Sequence, residues 1–260
     1  MKLFHGLLAC SRLQVLAVLG LSLASMGAPS FVPQEDAPVV EIEAKSKVPF
    51  RLYTSFATGA KDEKVEAMPV LSLAGTGVRT KTIFKVKVYA MGLYMDAAPT
   101  RTALAKWQGK DLKSLSKDES FYKAMMSAPV AKSMRLVMTR DVDGEDMAEA
   151  FSDSLGPRVK AACKELEAAD AEKARASVKA FEAYFSVDEL KEDVEILFTW
   201  LPSGQLVTSV GGAVQGVLDA PVLCAALFDI YFGKDPISDS AKTSLISRIP
   251  EMLAAKEGAK

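Results

Sequence analysis

Histidine is all but missing from this 260-residue chain: its only one, His5, lies in the extreme N-terminal segment. Removal of that segment leaves no imidazole at all. Serine–histidine and cysteine–histidine nucleophile pairs are then excluded, as are histidine-ligated metals. Cysteine is scarce as well. Cys10 sits in the same segment, while Cys163 and Cys224 fall far apart in helical patterns with no C-x-x-C spacing. They read as two buried structural thiols, with one disulfide left open. Neither sign of charge dominates. Without Lys2 and Arg12 there are 30 basic against 33 acidic residues, a net charge of −3. That is no electrostatic footprint for nucleic acid or for an anionic membrane. Long apolar runs are absent too. The one candidate, LQVLAVLGLSLA (13–24), is too short to span a bilayer, and extending it backwards crosses Arg12. What remains, 49% hydrophobic and 25% charged, is the composition of an ordinary globular protein.

The N-terminus has the form of a targeting segment. Lys2 opens it, residues 13–24 form its apolar core, and Ser22-Leu23-Ala24 fits a small-x-small cleavage site. We read residues 1–28 as a signal or targeting segment and 29–45 as a flexible Pro-rich leader. The expected outcome is entry into the ER, followed by a secreted or lumenal location. Phe31 resembles the aromatic residue after the signal peptide in two-part plastid leaders of algae with secondary plastids, which leaves a plastid as the alternative destination. A single domain is expected over 46–255, without repeats or an internal linker.

Within that domain, VPFRLYTSF and MPVLSLAGTGVR read as strands broken by turns. TIFKVKVYAMGLYM is the strongest strand signal, with Lys85 and Lys87 forming a solvated face. Two short helices follow, at TALAKWQG and DESFYKAMMSAP, and KSMRLVMTRDV returns to strand. From Gly144 to Phe185 apolar residues recur at helical spacing, with a joint expected at EAADAEKARA. DVEILFTWLPSGQLVTSVGG reads as a hairpin turning at Pro202-Ser203-Gly204. Two closing helices are expected, DAPVLCAALFDIYFG with Asp219 as N-cap and Gly233 as stop, then SDSAKTSLISRIPEML. This order predicts an α+β domain with helices on one face of an antiparallel sheet.

Two motifs stand out as a pair: G-x-G-x-R before a lysine-rich strand ending GLY, in LAGTGVRTKTIFKVKVYAMGLYMD, and the helix end LFDIYFGKDPIS. Together they resemble the chalcone isomerase-like family over roughly residues 65–253, more its fatty-acid-binding members than its flavonoid enzymes. The resemblance implies an open-faced β-sandwich, a curved antiparallel sheet covered by helices, with a ligand cleft between the layers. It also implies that Arg79 points into the cleft and that Tyr89 joins it in holding a carboxylate. The chemistry suits the idea, since a guanidinium offers a fork to a carboxylate and a phenol adds a further donor. Read without the resemblance, an arginine near the end of a strand, as Arg79 is, usually sits at the surface or in a structural ion pair. Ten residues of straight strand span roughly 33 Å. A shared carboxylate therefore requires the chain to turn or bulge between Arg79 and Tyr89, where it has neither Gly nor Pro.

Against the flavonoid enzymes the resemblance implies losses. Their threonine matches Tyr89, their tyrosine and asparagine match Asp146 and Asp153, and their last polar position matches Ile230, so only the arginine survives. Carboxylates at two donor positions would repel an attacking phenolate, which argues against chalcone cyclisation. Asp146 and Asp153 receive no catalytic role; an acidic first turn favours the positive end of a helix. DVDGED lacks the remainder of a calcium loop, and GKDPIS lacks the spaced glycines of a phosphate loop. Asp229 and Tyr231 read as structural. We expect a carrier for a fatty acid or similar carboxylate, binding through Arg79 and Tyr89, without cofactor, metal, nucleic acid or a membrane span in the mature protein. The rivals are an isomerase or lyase using the same two donors, and a non-catalytic partner of another enzyme.

Overall fold

The structure is a computed structural model that describes residues 38–56, 69–81 and 86–255. The expected leader lies outside the described residues up to Ala37, and so does Lys85. In chain order the strands and helices begin with β1 (Val40–Ile42), β2 (Pro49–Arg51), β3 (Tyr53–Thr54), β4 (Leu71–Lys81) and β5 (Val86–Met95). Then come α1 (Ala97–Ala103), α2 (Leu112–Leu115), α3 (Glu119–Ser127), β6 (Lys132–Met138), β7 (Val142–Asp143), α4 (Gly144–Ala162) and α5 (Ala168–Glu182). The chain closes with β8 (Glu189–Leu190), β9 (Glu195–Trp200), β10 (Gln205–Val210), β11 (Ala213–Asp219), α6 (Pro221–Phe232), α7 (Asp239–Ser244) and α8 (Ile249–Ala254). Seven strands form one antiparallel sheet in the order β11-β10-β9-β6-β5-β4-β3. The sheet curls into a half-barrel with the helices packed on it, an α+β fold of the kind the sequence motifs imply.

Strand alternation sorts residues between two cores. Met91, Leu93 and Met95 of β5, with Met134, Leu136 and Met138 of β6, enter the large core under the helices. The intervening Ala90, Tyr94 and Val137 face the other way, into a smaller cluster with Phe50, Leu71 and Leu73. The β1–β2 hairpin covers that second face, with the Phe50 ring under the Arg135 guanidinium and the Pro49 carbonyl accepting from it. Val40–Ile42 pairs with Pro49–Arg51, so this hairpin straddles the domain start expected at residue 46.

Four sequence readings change in detail. The helical joint falls at residues 163–167, and EAADAEKARA supplies the first turns of α5, where alanine is a strong helix former. Asp219 is not a helix cap. It ends β11 and pairs with Lys173 at 2.6 Å, while Ala220 is the N-cap of α6 and Pro221 its first residue. β11 itself was not anticipated; Gly211 and Gly212, at φ +59° and +81°, turn β10 back into it. The last helix is two, α7 and α8, because Pro250 starts a fresh first turn after Arg248. Cys163 and Cys224 are both free thiols, Cys224 buried and Cys163 partly exposed.

A buried cation ties one helix to the sheet. Lys132 of β6 is only 2% exposed, and its ammonium donates to the carbonyls of Met125 (3.1 Å), Met126 (2.7 Å) and Ala128 (3.0 Å) at the end of α3. It also lies 4.2 Å from the centre of the Trp200 ring. Burial pushes this lysine down to about 8, while three acceptors at the negative end of a helix favour its charged form. Lys132→Met keeps the apolar stem and strands the three carbonyls. It should cost about 2 kcal/mol in guanidinium unfolding. An unchanged midpoint would show that α3 is held by packing alone.

Candidate functional site

The G-x-G-x-R spacing acquires a physical reason in β4. Gly75, Gly77 and Arg79 share the helix-side face, and α7 lies flat against the two glycines. A Cβ on Gly75 would meet the Ser244 carbonyl oxygen at 2.3 Å, and one on Gly77 would meet the Ser244 Oγ at 3.1 Å. Two residues further along, where α7 no longer covers the strand, the long side chain of Arg79 has room. Its Nη1 donates to the Ile237 carbonyl in the connection between α6 and α7. Among the described residues Arg79 has no carboxylate partner.

Arg79 and Tyr89 are directly opposite in the β4–β5 ladder. Directly opposed residues in an antiparallel pair put their side chains on one face about 5 Å apart, which removes the distance objection that a straight strand raises. The register slips by one immediately beyond them: Thr80 pairs with Lys87 and Val88 is left over. Such a bulge bends the strand and re-aims the neighbouring side chains.

Both side chains line a cleft of about 320 Å³ between this end of the sheet and helices α4 and α6. Its walls are apolar: Val88 from the sheet, Met147 and Phe151 from α4, Ile230 and Ile237 from α6 and the connection after it. The mouth carries charge of both signs, Lys81 and Arg140 against Asp141, Asp143 and Asp146. Two of the three carboxylates are already engaged. Asp143 caps α4, accepting from the Glu145 N–H at 2.9 Å, and Asp141 accepts from the Glu192 N–H at 2.7 Å. The volume lies at the lower end for small-molecule clefts, and apolar walls converging on a few polar groups are the usual pattern of a binding site.

Tyr89 is 6% exposed, and its hydroxyl lies 3.5 Å from that of Tyr231 on α6, which is 2% exposed. Burial raises the ionisation of both phenols above the ordinary tyrosine range. For Tyr89 the Tyr231 hydrogen bond and the Arg79 cation pull against that shift. Both are therefore neutral donors at physiological pH. The sequence reading placed Tyr231 in the helix motif as structural and had no signal for its contact with Tyr89, because the two residues are 142 positions apart.

The remaining candidates separate. Asp146 is exposed at the cleft mouth, whereas Asp153 is exposed and not part of the cleft; Ser154, the next residue, lines it instead. Asp229 anchors α6 to α4 by accepting from Arg158 Nε at 2.8 Å, consistent with a structural role. Lys87 is exposed and donates to the Lys45 carbonyl at 2.9 Å. Among the described residues no cluster of histidine, cysteine, aspartate and glutamate could hold a metal ion. No described helix is long and apolar enough to cross a membrane.

Comparison with known proteins bears on the whole domain. The chain is 30% identical over 197 residues to a chalcone–flavanone isomerase of Oryza sativa subsp. japonica, covering 71% of this chain and 82% of that one. It is 29% identical over 195 residues to the chalcone–flavanone isomerase of Zea mays, covering 72% and 82%. Among solved structures, a fatty-acid binding protein of Arabidopsis thaliana superposes with a TM-score of 0.64 over 83% of this chain and 99% of that one, at 19% identity. The family profile described as chalcone isomerase like matches residues 70–246, from the start of β4 to the end of α7, and the chain belongs to that family.

Proposed function

We propose that the cleft binds a fatty acid or similar carboxylate lipid, with Arg79 holding the head group, Tyr89 adding a second donor and the apolar walls taking the tail. The observation that carries this reading is Arg79 itself. It is a half-buried guanidinium lining an apolar cleft, directly opposite a buried phenol, and has no carboxylate partner among the described residues. A cation left in that setting is costly without an anion, and a carboxylate accepts the fork that a guanidinium presents. The fold of the Arabidopsis fatty-acid binding protein agrees with the proposal.

Native mass spectrometry with organic extraction of the purified protein tests it first. A co-purified carboxylate lipid supports the carrier, and failure of the protein to bind any fatty acid in titration removes it. The pH dependence follows from the charges. The bound form is the carboxylate, so the free acid must ionise, and affinity should fall as pH drops through about 4 to 5, the range of an ordinary side-chain carboxyl. On the alkaline side burial raises both phenols above the ordinary tyrosine range, so they ionise later than an exposed tyrosine would. Affinity should therefore hold across the neutral and mildly alkaline range in calorimetric titrations with laurate. Tyr89→Phe should weaken laurate about tenfold at neutral pH, the worth of one hydrogen bond to a charged group. No loss would remove Tyr89 from the site.

A second reading is favoured by the relatives, which are chalcone–flavanone isomerases. In it, Arg79 and Tyr89 would act as electrophilic donors to a developing enolate. Asp146 at the cleft mouth and Ile230 in its wall weigh against an anionic phenolate substrate. Turnover of naringenin chalcone above a buffer blank, lost in Arg79→Ala, would establish it.

A further inference from the structure

Tyr89 and Tyr231 bring two hydroxyls together where each has no other hydrogen-bond partner among the described residues. Each hydroxyl can donate once. Their mutual contact uses one proton of the two, so the second must be offered elsewhere. Only one of the rings borders the cleft: Tyr89 lines it, and Tyr231 stands behind, in the core under α6. The assignment of the spare proton follows. If Tyr231 donates to the Tyr89 oxygen, the Tyr89 O–H is turned outward to the cleft, towards the side that Arg79 also faces.

We infer that Tyr231 is a positioning residue for the head-group site, donating its hydroxyl to Tyr89 so that Tyr89 presents its own O–H to the ligand carboxylate beside Arg79. This rests on the carboxylate-carrier reading and adds a residue to it. A hydroxyl that accepts a hydrogen bond becomes a better donor, and the effect is strongest where water is excluded. At 3.5 Å the two oxygens are further apart than the roughly 2.7–2.8 Å usual for paired hydroxyls. Closing the contact needs a movement of less than about 1 Å, of the kind that binding sites make when a ligand arrives. Tyr231 touches no ligand in this arrangement. Its influence passes entirely through Tyr89.

That dependence gives the test a signature that packing alone would not produce. Laurate affinity is measured by calorimetry in the parent, Tyr231→Phe, Tyr89→Phe and the double variant. Phenylalanine preserves both rings, so the core packing of α6 is kept. Tyr231→Phe is expected to weaken laurate about threefold to fivefold in the parent background, less than a full hydrogen bond to a charged group. It should have no effect once Tyr89 is phenylalanine. An unchanged affinity in Tyr231→Phe overturns the inference while leaving the carrier standing. Equal weakening in both backgrounds also overturns it, because the effect then does not pass through Tyr89. A parent protein that binds no fatty acid removes the carrier reading and this inference together.

Discussion

Arg79→Ala should reduce laurate affinity about 100-fold while leaving the protein folded. The two halves of that expectation have separate causes. In the bound state the carboxylate would lie in a cleft walled by Val88, Met147, Phe151, Ile230 and Ile237, none of which can hydrogen-bond it through its side chain. Removing the guanidinium leaves a desolvated anion with the Tyr89 hydroxyl as its main donor. Truncating one partner of a buried charge pair costs 2–5 kcal/mol, and about 2.7 kcal/mol corresponds to the 100-fold loss. The folded protein relies far less on this side chain. Its one side-chain hydrogen bond among the described residues is to the Ile237 carbonyl, and a single neutral acceptor left to water at a half-buried position costs about 1 kcal/mol. Arg79→Lys separates charge from shape. The ammonium keeps the attraction but not the planar fork, so an affinity between those of the parent and Arg79→Ala is expected. Calorimetric titration with a thermal melt on each variant reads both halves. Parent-like affinity in Arg79→Ala would place the head group elsewhere, and a collapse of the fold would make Arg79 a structural residue.

How much of this was legible in the sequence depended on how local each signal was. Period-two alternation in EILFTW and the β-branched and aromatic residues of VKVYAMGLYM marked strands, and in the structure parity sorts their residues between the two cores. Parity does not say where the chain reverses. The register that sets Arg79 against Tyr89 comes from pairing and from the bulge at Val88, and neither leaves a glycine or proline behind. The pair was therefore reachable only through the motif's likeness to a family. β11 was missed for a different reason: AVQGVLD is half exposed and broken by Gly216, so its pattern is weak, and the Gly211-Gly212 turn was the one usable cue. Asp153, matched by resemblance to a polar position of the flavonoid enzymes, does not line the cleft, whereas the next residue, Ser154, does. On a helix one residue is 100° of rotation, enough to bring Ser154 into the cleft and leave Asp153 in solvent. Tyr231 lay beyond local reasoning altogether, since its significance is a contact made by tertiary packing.

Gly75→Ala should destabilise the protein by about 3–4 kcal/mol, the upper end for a single methyl group, because the added atom has nowhere to go. It would sit 2.3 Å from the Ser244 carbonyl oxygen and 2.7 and 2.8 Å from the backbone of Leu245, and backbone cannot rotate aside as a side chain can. Relief requires α7 to lift from β4. That movement pulls on Leu245, Ile246 and Ile249, all fully buried, and on the Arg248 N–H donated to the Ala74 carbonyl at 2.8 Å. For a domain of this size the melting temperature should fall by about 10 °C. Gly77→Ala is the control on the same face two residues along. Its new Cβ would meet the Ser244 Oγ at 3.1 Å, a side-chain hydroxyl that can rotate aside at the cost of its 3.3 Å bond to the Ala241 carbonyl, and the Ala241 Cβ at an ordinary 3.4 Å. A change within about 1 kcal/mol is expected there. Comparable stability in the two variants would show that α7 does not pack against β4 as described. The binding consequence follows from position. The Ile237 carbonyl that holds Arg79 lies in the connection leading into α7, so a lifted helix displaces the anchor of the guanidinium. Laurate affinity should fall in Gly75→Ala and hold in Gly77→Ala, although neither glycine lines the cleft. The first glycine of the motif would then serve the arginine at a distance, by fixing the helix whose approach positions it.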